Sequence, residues 1–429
     1  MKTSIRHSGA AAIALALATT FTATLTGCSD EQEPTAEQVE QVKREAIAVG
    51  EAPETNELDK EDFAVIANTC EFGVDFLRAV NAAEKGKGKN VVISPISAQI
   101  LLSMLANITD ATASREIASA IGCEDVDALN RLSYKFINND FTDSEYADLK
   151  IVNAVWYNHN YTLRTNFDTL LERFYNTSAK GRDFSTPSVV IDEINRWCSD
   201  NTEGLIDNIV SQLPEQSAAV LANAMYFNAA WERQFDESKT TKGTFQTPTG
   251  PKEVDMMHND RVVKDYISNE RFQAICLDLA MRFEAWLILP AEGVEIDDLV
   301  DEIKMSDLRD YVRGDIDFAM PRFTYATETI ELNKPLEQMG MKSVLSPMEL
   351  GIFNEAYAGA LEIGQKCTVT FNEHGVEASS STHVGIAMGP PPPTVKATMH
   401  LDRPFMFIVS HHEGMEREVP LIAGKIVDP

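Results

Sequence analysis

With 429 residues, 44% of them apolar, the chain can bury one large core or two ordinary ones. Its 66 acidic residues against 37 basic ones leave a net charge of −29, which repels nucleic acid and anionic lipid, so nucleic-acid binding is disfavoured. Neither a collagen-like period nor extended disorder dominates the composition.

The chain opens with Lys2 and Arg6 ahead of a small-residue and apolar run from Ala10 to Ala23. That run is too short to span a membrane stably and has the form of an export signal, expected to be removed. It ends in Leu25-Thr26-Gly27-Cys28, which resembles the lipobox of bacterial lipoproteins. The resemblance implies that Cys28 is acylated and becomes the first mature residue, so that membrane contact is through a lipid anchor only. Ser29-Asp30-Glu31-Gln32-Glu33 resembles the surface-export signal of Bacteroidetes lipoproteins, which implies an outer-membrane lipoprotein exposed at the cell surface. An ordinary solvated linker, with the protein facing the periplasm, is the alternative. Residues 28–58, rich in Glu, Gln, Thr, Ala and Pro, read as an acidic flexible tether.

Residues 59–429 show no fixed-period repeat and no Pro/Gly/Ser linker, so they are expected to form one domain. Ser97 to Ala120 carries Ile100, Leu101, Met104, Leu105 and Ile108 at helical spacing, with Pro95 suited to the helix start. Ile191, Ile194 and Trp197 predict a second helix over Val190 to Trp197. Ala219 to Phe227 is a dense apolar run interrupted by Asn223, the pattern of a strand buried on both faces, and Phe405 to Val409 reads likewise. The class is α+β with substantial sheet. Cys70, Cys123, Cys198, Cys276 and Cys367 show no CxxC pair, so neither a zinc site nor a disulfide framework is indicated. No nucleophile elbow, metalloprotease helix, phosphate loop or dinucleotide fingerprint occurs in a supportive context, so the chain is not expected to be an enzyme or to need a cofactor. Lys85 to Lys89 reads as a solvated turn. His411-His412-Glu413 places adjacent histidines on opposite faces of an extended segment, so no metal site is expected there.

A series of motifs runs along the same region in order. Asn90-Val91-Val92-Ile93-Ser94-Pro95-Ile96-Ser97 leads into an apolar helix. Asn153-Ala154-Val155-Trp156, Asp183-Phe184, Ile194-Asn195-Arg196-Trp197 and Thr202-Glu203-Gly204-Leu205-Ile206 follow. Then come Leu221-Ala222-Asn223-Ala224-Met225-Tyr226-Phe227, Trp231-Glu232-Arg233-Gln234-Phe235, Met320-Pro321-Arg322-Phe323, Glu373 to Thr382 and Arg403-Pro404-Phe405. In this order and spacing the chain resembles the serpin family, serine protease inhibitors. The resemblance implies a serpin fold of three β-sheets, eight to nine helices and an exposed reactive-centre loop, about residues 374–400. It implies inhibition by a suicide-substrate route, in which a protease cuts the loop, forms an acyl-enzyme and is trapped as the loop enters the central sheet. A non-inhibitory serpin used as a binding or carrier module is the alternative.

The loop itself carries a physical signal. From Val376, the even positions Val376, Ala378, Ser380, Thr382, Val384, Ile386 and Met388 are small, then apolar, while the odd positions tolerate water. This is a strand pattern of period two without proline, roughly thirteen residues and about 40 Å long at 3.3 Å per residue. Gly389-Pro390-Pro391-Pro392-Pro393 ends it, since proline has no N–H to donate to a ladder. Glu373, Gly375, Val376, Glu377, Ala378, Ser379, Ser380, Ser381 and Thr382 resemble the hinge of inhibitory serpins, with Val376 where the family more often has Thr. Family spacing puts the reactive bond after Gly389, but Pro390 would then follow the cut, so Met388-Gly389 is preferred. A methionine there suits elastase-, chymotrypsin- or subtilisin-like serine proteases, with cysteine proteases as further partners. By the resemblance, Arg322 pairs with Glu373 at the top of the sheet beside Trp231. Ser94, Ser97, Asn223 and Gln365 match the polar cluster beneath the sheet opening, with Gln365 where the family usually has His. A monomer is expected.

Overall fold

The computed structural model describes residues 11–20, 46–139, 146–214, 217–345, 348–349, 351–353, 358–376, 395–412 and 418–429. Among the described residues, one sheet gathers β1 (Ala11–Thr20), β3 (Ala147–Asn158), β4 (Ala179–Arg182), β5 (Ala219–Ala230), β11 (Phe323–Ala326), β12 (Ile330–Glu331), β13 (Met348–Glu349), β14 (Ala358–Phe371) and β15 (Gly375–Val376). Its main path is β11-β14-β1-β5-β3-β4. The remaining strands are β2 (Val91–Ile93), β6 (Thr241–Thr247), β7 (Gly250–Ser268), β8 (Phe272–Asp278), β9 (Phe283–Pro290), β10 (Val312–Pro321), β16 (Val395–His400), β17 (Phe405–His412) and β18 (Glu418–Ile426). They divide at the long β7, with β6, β10 and β16 on one side and β8, β9, β17, β18 and β2 on the other. Counted this way, the described residues form the three sheets expected.

The helices are α1 (Lys60–Thr69), α2 (Phe72–Glu84), α3 (Pro95–Ala106), α4 (Ala111–Ile121), α5 (Val126–Ile137), α6 (Phe167–Tyr175), α7 (Pro187–Asn201), α8 (Ile296–Glu302) and α9 (Asn333–Gln338). The single helix predicted over Ser97 to Ala120 is two. Asn107 turns its amide back onto the Ser103 carbonyl at the end of α3, and the Asp110 carboxylate caps α4 by accepting from the N–H groups of Thr112 and Ala113. Every residue of α3 is buried, so this helix is the centre of the core behind the first sheet rather than a surface cover.

The central strand β5 separates two apolar layers by its period of two. Ala219, Leu221, Met225, Phe227 and Ala229 join the main core, while Val220, Ala222 and Ala224 meet Ile194 and Cys198 of α7 together with Trp156. Domain packing begins ahead of residue 58, the end assigned to the tether. Ile47 is buried, its N–H bonds to the Thr165 carbonyl, and Arg173 reaches back to the carbonyls of Val49 and Gly50.

Candidate functional site: the sheet opening and the loop hinge

Strand β14 ends at Phe371, and the chain turns at once. Asn372 makes the turn: its side-chain oxygen accepts from the N–H groups of His374 and Gly375, and its own N–H bonds to the Gly375 carbonyl. The chain then returns as β15, pairing Gly375 with Ala230 and Val376 with Ala229 of β5. Gly375 is required by space: a Cβ there would lie 2.2 Å from the Ala229 carbonyl oxygen and 2.9 Å from Ala230 Cα. Val376 is fully buried.

The top of the sheet is clamped around this turn. Trp231 donates its indole N–H to the Asn372 carbonyl at 2.9 Å and its backbone N–H to His374 O, while Phe235 N–H bonds to Glu373 O. The Glu373 carboxylate, only 4% exposed, lies 3.4 Å from Arg322 and accepts from the Thr240 hydroxyl at 2.7 Å. The predicted Arg322–Glu373 pair therefore forms, but Arg322 is half exposed and holds Asp255 more closely, at 2.9 Å. Thr240, Asn372 and Asp255 complete the clamp and were missed in the sequence. Only the short polar Asn directly after an apolar strand hinted at the turn.

Lower in the same sheet, β1 lies antiparallel between β14 and β5, with Leu15 opposite both Gln365 and Asn223. The gap between β5 and β14 is thus one strand wide. Of the predicted polar cluster, Ser94 and Gln365 are joined: Gln365 accepts from the Ser94 N–H and donates to the Ser94 carbonyl, both at 3.0 Å, while the Ser94 hydroxyl donates to Leu421 O. Ser94 also caps α3 through Ser97 N–H. Asn223 instead donates to Asn153 on β3 at 2.9 Å. Asn223 and Gln365 thus share a level across the sheet without touching. On the far face the segment after α7 is tied to β14, where Lys366 donates to the Asn208 carbonyl.

Glu377, Ala378, Ser379, Ser380, Ser381, Thr382, Met388 and Gly389 lie outside the described residues, as does Cys28. Strand β16 runs parallel to β10 from Val395, opposite Gly314. The clamp is an arrangement of hydrogen bonds and packed rings around the turn that follows β14.

The family model for Serpin (serine protease inhibitor) matches residues 67–429. An uncharacterised serpin-like protein of Thermococcus kodakarensis is 28% identical over 358 residues, covering 80% of this chain and 82% of that protein. Serine protease inhibitor 42Dd of Drosophila melanogaster is 26% identical over 352 residues, covering 80% and 92%. Among solved structures, the thermophilic serpin tengpin in its native state superposes with a TM-score of 0.73 at 22% identity, over 89% of this chain and 98% of that one. The native stressed conformation of an Arabidopsis serpin gives 0.70 at 22% identity, over 87% and 99%. With the model matched along most of its length and the fold shared, this chain belongs to the serpin family.

Proposed function

We propose that the chain inhibits serine-type endopeptidases as a suicide substrate. A protease cuts the exposed loop near Met388-Gly389, the acyl-enzyme forms, and the freed segment enters the first sheet between β5 and β14 with the enzyme still attached. The observation that carries the reading is the register of β15 on β5. Val376 already stands opposite Ala229, so insertion continuing this register residue for residue would put Ala378 opposite Phe227, Ser380 opposite Met225, Thr382 opposite Asn223 and Val384 opposite Leu221. Those β5 partners, Asn223 apart, belong to the main core, and paired residues of a ladder share a face. On insertion the small and apolar even positions would turn to the core, while Ser381 and His383 would meet the small residues Ala224 and Ala222 under α7.

A second support is that the gap between β5 and β14 admits a strand, since Ala11–Thr20 fills it in this direction and in register with both neighbours. Export cleavage before Cys28 would vacate that position. The lipid anchor would then hold the inhibitor at the outer membrane, facing proteases outside the cell, with elastase-, chymotrypsin- and subtilisin-like enzymes as the favoured targets. Incubating the protein with chymotrypsin tests the reading. An adduct that survives denaturing electrophoresis is expected, whereas cleavage without an adduct across a protease panel would favour a binding or carrier role.

A further inference from the structure

Outside the sheet opening, the strands β9, β17 and β18 bring together three side chains that the proposed inhibition does not use. Ser410 pairs with Glu284 across β17 and β9, and His412 pairs with Glu418 across β17 and β18. Directly paired residues share a face and so do residues two apart, so Glu284, Ser410, His412 and Glu418 all lie on one face of this sheet. One carboxylate oxygen of each Glu and one ring nitrogen of His412 fall within 4.8 Å of one another, the only such group of metal-binding side chains among the described residues. His412 Nδ1 stands 3.9 Å from Glu284 Oε2.

We propose that Glu284, His412 and Glu418 bind a divalent cation of the Zn²⁺ or Mn²⁺ type. Three observations carry this. First, the spacing fits: ligands about 2.1 Å from one ion stand about 3.4 Å apart in a tetrahedral site, so the 3.9 Å separation closes by small side-chain rotations. Second, the polar atoms lack partners. His412 Nδ1 and Glu418 Oε2 are both buried without a hydrogen bond, and Ser410, fully buried on the same face, has an unpartnered hydroxyl. Third, the charge is not balanced. Among the described residues, Arg309 is the one cation within 4 Å of Glu418, at 3.9 Å, and Arg313 is engaged by Asp265 at 3.0 Å. A dication between them would offset the two neighbouring carboxylate charges. The neighbouring Cys276 lies 3.5 Å from Glu284 Oε2 but stands outside the group whose ligand atoms converge, so the ligand set is two oxygens and a nitrogen with solvent completing the shell. The sequence concealed this site because adjacent His411 and His412 do face opposite ways. The other two ligands arrive from different strands.

The test reads metal binding directly and does not depend on whether the protein inhibits a protease. The full chain, stripped with EDTA and returned to chelator-free buffer, is titrated calorimetrically with ZnCl₂ or MnCl₂, and its melting is followed with and without the metal. One ion per chain and a raised melting temperature are expected. Glu284→Gln, which copies the protonated carboxyl, and Glu418→Gln should each weaken binding tenfold or more while leaving the metal-free melting temperature within a few degrees. Co²⁺ at the site should give visible d–d bands without a thiolate charge-transfer band. Absence of binding at millimolar metal, or affinity unchanged in both Gln variants, would overturn the assignment. A strong thiolate band abolished by Cys276→Ser would overturn the proposed ligand set.

Discussion

Replacing Val376 with arginine probes the step on which trapping depends. Val376 is fully buried opposite Ala229 before any cleavage, so the substitution acts on the native state as well as on insertion. Losing the burial of a valine costs about 2 kcal/mol. An arginine kept in that position would add several kcal/mol more for an unpaired charge. Glu373 does not offer a ready partner, because Arg322 and Thr240 already hold its carboxylate. The cheaper response is for the two-residue β15 to leave β5, so the native protein should lose about 2–4 kcal/mol rather than unfold. The inserted state has no such escape, since residue 376 must lie in the ladder before residues 377–388 can follow it. On mixing with chymotrypsin, Val376→Arg should be cut at a normal rate but give little gel-stable adduct, while Val376→Thr should trap normally. A normal adduct yield and an unchanged melting temperature for Val376→Arg would refute the assignment of β15 as the first inserted rung.

Cleavage within the loop should raise the melting temperature of the chain lacking its leader, because the freed segment completes the sheet. Coincident melting curves for cut and uncut protein would mean the sheet does not accept it. Mass spectrometry of the cut loop should place the break at Met388-Gly389. Trypsin should give no adduct, since the nearest basic residue beyond the strand, Lys396, follows the proline run; an adduct linked through Lys396 would contradict this. A chain that retains residues 1–27 should be cut without trapping, because Ala11–Ala18 holds the same β5 residues that 378–385 would need; equal adduct yields with and without the leader would count against that competition. Lys425 is 1% exposed, with Asp297 and Asn81 each 2.6 Å from its ammonium. Burial pushes the Asp297 carboxyl up, but the bonds from Lys425 and the Gly86 N–H outweigh it and hold the carboxyl below its ordinary value. A carboxyl lowered on folding contributes stability above its unfolded value near 4 that is lost as the pH falls through the folded one. Asp297→Asn should therefore cost about 3 kcal/mol at pH 7 by leaving the buried Lys425 charge with Asn81 but no counter-ion, and should flatten the acid limb of the stability curve below pH 4. An acid limb as steep as the parent's in urea denaturation would exclude Asp297 as its source.

Local pattern alone determined much of this protein. The both-sided burial of Ala219 to Phe227, the helix around Ile194 and the alternation after Val376 are one-dimensional signals, because side-chain direction repeats every two residues in a strand and every 3.6 in a helix. The motifs pointed to the family through their order and spacing along the chain, which are also one-dimensional. What the tertiary structure decided is which distant residues meet. Asn372 and Thr240 join the clamp because the turn after β14 and the segment just ahead of β6 converge on Glu373, and Asn223 finds Asn153 rather than Gln365 because its neighbour on that side is β3. The break between α3 and α4 was hidden because apolar spacing continues through Ile108, and only the caps at Asn107 and Asp110 end one helix and begin the next. The group of Glu284, His412 and Glu418 lies furthest from sequence reasoning. Its members are 128 and 6 residues apart, on three strands, and strand register alone places them on one face.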